Sequence, residues 1–314
     1  MSARSIVIIR AAGERTESAC IEAVSRQARG WLGVEVVRER PFWKALSKSI
    51  GIACRAETRW AVCVDADVLV RNGCLERAIV EASQCRHGFF MLNFRVLDRL
   101  MGGEVSGGLH LYSGKLLRQA LELLPQVESA LRPENALCAK MAERGYPTVR
   151  SKYLVGLHDF EQYYRDIYRK MFVKANKMGA LLPYLFARCN QEKNRIEHRV
   201  ALAGLIDGIA AGAAGRRASL NVAYYREMAD RVLSEAGIAE RGPLTAFDAT
   251  RVDEVVDSFV PDELYRAHRS MLAADGEVCW FGQDAPWTAK FVRRVRKALQ
   301  RRLEALERRL GGSA

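Results

Sequence analysis

Within the first 67 residues, three short apolar runs alternate with two amphipathic stretches, and this alternation restricts the fold more than any other feature. Residues 5–9 (SIVII), 34–37 and 60–64 are rich in β-branched or aromatic side chains and are bounded by Gly or charged residues, as buried strands are. Between the first two, residues 16–28 bring Ala19, Cys20, Ala23 and Val24 onto one helical face, with Thr16 as the cap. After Pro41, Phe42, Leu46, Ile50 and Ala53 repeat at helical spacing. Strands separated by helices are joined by crossovers, which predicts an α/β chain with a mostly parallel, Rossmann-like sheet. The pattern continues with a helix at 74–83, strands at 88–94 and 109–112, helices at 113–124 and 134–144, and a strand at 148–155. The glycine-rich segment 102–108 reads as a flexible loop.

The third strand ends at Asp65-Ala66-Asp67. In open α/β sheets, ligands bind outside the carboxyl ends of the strands. Two carboxylates there supply hard oxygen ligands for Mg²⁺ or Mn²⁺, especially where phosphates complete the coordination. The plainer alternative is a polar strand end leading into the next helix. Later in the chain, His158 directly follows a strand and precedes a basic segment, a setting in which it can ligate a metal or serve structurally. His87, His110, His198 and His268 lack that setting.

From residue 159 the pattern turns helical, with stretches at 161–177, 191–211, 220–236, 261–273 and 289–310. The expected division is a catalytic α/β domain over residues 1–160 and a helical C-terminal region over 161–314. The stretch 208–215 (GIAAGAAG) fits a linker or a tight helix contact. The formal net charge of +12 is unevenly spread: from Trp287 onward nine basic residues face two acidic ones. In the 289–310 helix, Phe291, Val295, Leu299, Leu303, Leu306 and Leu310 form an apolar stripe flanked by arginines. That pattern suits an anionic membrane surface, or packing on the body or on a second copy of the chain.

No apolar run reaches the roughly 18 residues of a membrane span, and the first residues lack the apolar core of a leader. The expected location is the cytoplasm, with peripheral contact at the inner membrane face through 289–310. The eight cysteines show no CxxC spacing and read as free thiols. Most of the chain is near neutral and shows no nucleic-acid-binding module, so nucleic acid is not an expected partner.

With these residues in order, the chain resembles glycosyltransferases of the GT-A fold, in particular the inverting family 2 type. A strand–helix–strand–helix unit precedes Asp65-Ala66-Asp67. Pro133-Glu134-Asn135-Ala136-Leu137, closed by Gly145, is similar to the family's acidic helix that carries the catalytic base. His158 falls where such enzymes place a late metal-binding histidine. The resemblance covers residues 5–170 and implies a donor that is a nucleoside-diphosphate sugar, with Mn²⁺ or Mg²⁺ bridging its phosphates. It implies Asp67 and His158 as metal ligands, Asp65 on the metal or the ribose, and Glu134 as the general base of an inverting displacement. Glu39 would meet the nucleotide base, while Lys44 and Lys48 would reach phosphate. The acceptor would be a glycan, a lipid-linked glycan or a protein, as in polysaccharide biosynthesis.

The chain also departs from the family. Arg10-Ala11-Ala12-Gly13 stands in place of Pro-x-x-Asn after the first strand, and Arg38-Glu39-Arg40 in place of an acidic loop after the second. Two rival readings remain. Asp65-Ala66-Asp67-Val68-Leu69-Val70 is also similar to the first motif of haloacid-dehalogenase-type phosphatases, in which Asp65 would be the nucleophile. That motif belongs on a first strand, and here two strand units precede it. The other rival is a non-catalytic GT-A-like scaffold.

Overall fold

The computed structural model describes residues 4–85, 88–128, 130, 132–177, 181–213, 222–244 and 247–274. The 289–310 helix expected from the sequence lies outside them. The described chain falls into two compact units. The first is drawn from Met1–Arg99, Gly103–Gln162 and Pro243–Val260, and the second from Leu100–Gly102, Tyr163–Gly242 and Pro261–Ala314.

The first unit opens with β1 (Ser5–Arg10), α1 (Glu17–Gln27), β2 (Gly33–Val37), α2 (Phe42–Arg55) and β3 (Trp60–Asp65). It continues through β4 (Val68–Val70), α3 (Cys74–Gln84), β5 (Met91–Asp98), β6 (Gly103–Ser113), α4 (Leu117–Leu123), α5 (Pro133–Glu143) and β7 (Thr148–His158). The seven strands form one sheet in the order β2-β1-β3-β6-β5-β7-β4. The class is α/β as expected. Pairings β1–β2, β1–β3 and β5–β7 are parallel, and β3–β6, β5–β6 and β4–β7 antiparallel. Because β6 runs against both β3 and β5, strands β1, β3, β5 and β7 all deliver their carboxyl ends to one edge.

Strand alternation sorts the side chains between two layers. Val7, Ile9, Val62 and Val64 pack with α1 and α3 on one face. Ile6, Ile8, Ala61, Cys63 and Tyr112 pack with α2, α4 and α5 on the other. Leu46 and Ile50 of α2 are fully buried there, each worth roughly 1.5–3 kcal/mol of transfer free energy.

The structure departs from the sequence reading at three places. Residues 103–108 are not a loop but the first half of β6, paired through Val105↔Val96 and Glu104↔Leu97. Pairing with β5 outweighs the glycines' weak strand preference, and Gly107 and Gly108 fall at the register shift between Asn93 and Arg95. The turn is the short segment between Asp98 and Gly103. The short β4 is a further strand that the sequence did not separate from β3. The segment Pro243–Val260, read from sequence within the helical region, belongs to the first unit. Its helix, introduced below as α10, packs through Val252 and Val256 on Leu69, Leu97 and Leu157.

The remaining helices are α6 (Tyr164–Lys177), α7 (Leu182–Gln191), α8 (Ile196–Ala213), α9 (Val222–Glu235), α10 (Thr250–Asp257) and α11 (Glu263–Ala274). All but α10 lie in the second unit. There α6 meets α8 closely, because Gly204 and Gly208 face the backbone of Tyr168 and Phe172, where a β-carbon would collide. Gly208 thus makes the tight helix contact. Buried Arg188 binds Asp262 at 2.9 Å and the Tyr184 hydroxyl at 3.3 Å. No helix among the described residues is long and apolar enough to cross a membrane.

Candidate active site

The shared carboxyl edge carries two polar groups, and the two acids of the DxD motif divide between them. Asp65 is the last residue of β3, beside Arg10 at the end of β1 by register. The Arg10 Nε donates to Asp65 Oδ1 at 2.8 Å, and its Nη1 to Glu134 Oε1 at 2.6 Å. Glu134 sits in the first turn of α5, where the helix dipole favours a carboxylate. Its Oε1 also accepts a hydrogen bond from the Tyr112 hydroxyl, and its Oε2 lies 3.4 Å from His110 Nε2. Alternation along β6 puts His110 and Tyr112 on the same face as Asp65.

Arg10, His110, Tyr112 and Glu134 are buried and Asp65 is partly exposed, and their charges are set by one another. Burial disfavours the Glu134 carboxylate, yet Arg10, His110 and Tyr112 together hold it down at about 2. Burial pushes the Asp65 carboxyl up, with Arg10 opposing. Burial likewise lowers His110 below its ordinary value. A carboxylate held near 2 is a weak proton acceptor at neutral pH.

The second group forms because β7 lies between β4 and β5. His158 is the Cα partner of both Val68 and Asp98. One step beyond that rung, the backbone N–H of Asp159 approaches the Asp67 carbonyl at 3.4 Å, which sets Asp67 beside Asp159. Ligand atoms from Asp67, His158 and Asp159 all lie within 4.8 Å of one another. His158 Nε2 is 3.5 Å from Asp67 Oδ2, while its Nδ1 is 2.8 Å from Asp98 Oδ2. Two carboxylates and an imidazole, gathered this closely and largely buried, suit a divalent cation.

Of the sequence-predicted metal ligands, Asp67 and His158 come together, joined by Asp159, while Asp65 turns to Arg10. Glu134, expected as the base, is tied to Arg10, Tyr112 and His110. Glu39 and Lys48 bind each other at 2.6 Å on the surface, and the Lys44 ammonium lies over the Trp43 ring at 5.7 Å. Arg10, Asp98, His110, Tyr112 and Asp159 were not assigned from sequence. The alternation Leu109-His110-Leu111-Tyr112 is a signal that could have found two of them, because it sets two polar groups on one strand face.

The paired acids thus stand at the carboxyl end of β3, an inner strand of the α/β sheet. No family model matches the chain, and no curated protein matches it. Among solved structures, the mannosyltransferase PcManGT from Pyrobaculum calidifontis in complex with GDP-Man and Mn²⁺ aligns at 15% identity and TM-score 0.39, over 86% of this chain and 84% of that one. A glycosyltransferase involved in glycosylation of the major capsid of PBCV-1 aligns at 12% identity and TM-score 0.34, over 47% of this chain and 81% of that one. A putative glucose-1-phosphate thymidylyltransferase from Bacillus anthracis aligns at 12% identity and TM-score 0.32, over 48% and 87%.

Proposed function

We propose that the chain is a metal-dependent glycosyltransferase that moves a sugar from a nucleoside-diphosphate donor to a hydroxyl acceptor. The observation that carries this reading is the convergence of Asp67, His158 and Asp159 at the carboxyl edge, immediately after the DxD strand. These three side chains would hold a divalent cation, Mn²⁺ or Mg²⁺. Bound there, the cation supplies positive charge against the diphosphate as it leaves. Asp65, fixed by Arg10, presents a carboxylate to the donor's ribose from the same edge. Glu134 serves in this reading as the anchor of Arg10, because three neighbours already hold its charge. The acceptor would be a glycan, a lipid-linked glycan or a protein.

The test is calorimetric titration of UDP and GDP, each with and without Mn²⁺, into the full chain and into Asp67→Ala. One nucleotide should bind with Mn²⁺ present, and at least tenfold more weakly both without the metal and in the variant. If neither nucleotide binds with metal present, the reading is wrong.

A further inference from the structure

The metal reading leaves a question about His158 itself. A histidine ligates through the lone pair of one ring nitrogen, so the other nitrogen must carry the proton. Within the three-residue group Nδ1 meets only Asp159 Oδ2, at 3.5 Å, and so long a contact does not fix which is which. Asp98 does. It ends β5 as the direct register partner of His158, its side chain is 2% exposed, and its Oδ2 sits 2.8 Å from His158 Nδ1. An ionised carboxylate can only accept, so a bond of this length places the proton on Nδ1. The neutral ring then carries its lone pair on Nε2, the nitrogen that faces Asp67 Oδ2 at 3.5 Å.

We infer that Asp98 is a positioning residue for the divalent-cation site. It locks the His158 tautomer and ring plane and raises the basicity of Nε2, without touching the cation. This inference rests on the glycosyltransferase reading only in needing a cation at Asp67, and it needs neither donor nor acceptor. The backbone supports the arrangement. The Arg99 N–H donates to the His158 carbonyl at 3.0 Å, so the chain is bonded just beyond the two side chains. Carboxylate partners of this kind alter metal affinity by about 10–100-fold when removed.

The experiment is Mn²⁺ titration by calorimetry into the full chain, without nucleotide, for the wild type, Asp67→Ala, Asp98→Ala and Asp98→Asn. Circular dichroism of each variant reports folding. Asp98→Ala should weaken Mn²⁺ at least tenfold. Asp98→Asn keeps an acceptor for the Nδ1 proton but removes the charge, so it should fall between Asp98→Ala and the wild type. If Asp98→Ala does not fold, a Mn²⁺ affinity in Asp98→Asn that is several-fold weaker sustains the inference. Wild-type Mn²⁺ affinity in Asp98→Asn, and in Asp98→Ala where it folds, with affinity lost in Asp67→Ala, overturns the role of Asp98 and leaves the cation site standing. Undiminished affinity in Asp67→Ala instead overturns the cation site, and with it the role given to Asp98.

Discussion

Arg10 is 5% exposed and yet holds two carboxylates, Asp65 from the neighbouring strand and Glu134 from α5. A guanidinium taken out of water in this way is sustained only by its partners. Its own proton is held more firmly than usual, because Asp65 and Glu134 overcome the opposing effect of burial. Glu134 bears the consequence in its pH dependence. Its carboxyl is held at about 2 in the folded chain against an ordinary 4.5, so the folded state favours the charged form. The stability this confers is complete above about 4.5 and is lost as the pH falls from there toward 2, worth on the order of 3 kcal/mol. Glu134→Gln should therefore destabilise the chain by about that much at pH 7 in urea unfolding, and the gap to the wild type should narrow by pH 3. Equal stability at pH 7 would show that the Glu134 carboxylate does not hold the fold through Arg10. The sequence made part of this site legible. Asp67 and His158 could be singled out because each comes at the end of an apolar run. Arg10 and Asp98 could not, because their partners Asp65, Glu134 and His158 lie far along the chain and only the fold brings them together.

At the scale of elements, the alternation of apolar runs was enough to recover β1, α1, β2, α2 and β3, where local preference and tertiary packing agree. It failed at β4 and β6. The three residues of β4 are too short to show a period, and β6 carries glycines that only a paired strand tolerates. The contact between β4 and β7 is the one on which the gathering of Asp67, His158 and Asp159 depends. Gly156 is the Cα partner of Val70, and a β-carbon there would run into the Leu69 carbonyl. Backbone cannot swing aside as a flexible side chain can, so Gly156→Ala must force the two strands apart. Overpacking of this kind costs about 1–3 kcal/mol or more. The variant should melt lower, and it should also bind Mn²⁺ more weakly, because Asp67 directly precedes β4 and His158 ends β7, the two displaced strands. Wild-type Mn²⁺ affinity in a folded Gly156→Ala chain would separate the metal group from the β4–β7 register.

The whole molecule reaches back to this same corner. The chain leaves the sheet at Gln162, builds the helices of the second unit, and returns to the first unit through Pro243–Val260. That return was not legible from composition, because α10 is a short amphipathic helix like its neighbours in sequence, and only its target tells it apart. Its Val252 and Val256 pack on Leu69, Leu97 and Leu157. Leu97 and Leu157 immediately precede Asp98 and His158, and successive strand residues face opposite sides of the sheet. Helix α10 therefore braces the reverse side of the strands that carry Asp98 and His158. Arg71, just beyond β4, adds ion pairs to Asp253 at 3.0 Å and Asp257 at 2.8 Å. Val252 is 1% exposed, whereas Val260 at the end of the same segment is 77% exposed. Val252→Asp would bury a charge with no partner, and Val260→Asp would place the same charge in water. Val252→Asp should cost at least about 3 kcal/mol, lowering the melting temperature by roughly 6–12 °C. It should also weaken Mn²⁺ binding, and Val260→Asp should change neither. If the two variants melt and bind alike, α10 does not brace the site; if only Val252→Asp fails, a segment some 90 residues beyond His158 in the chain is part of what holds the metal group in place.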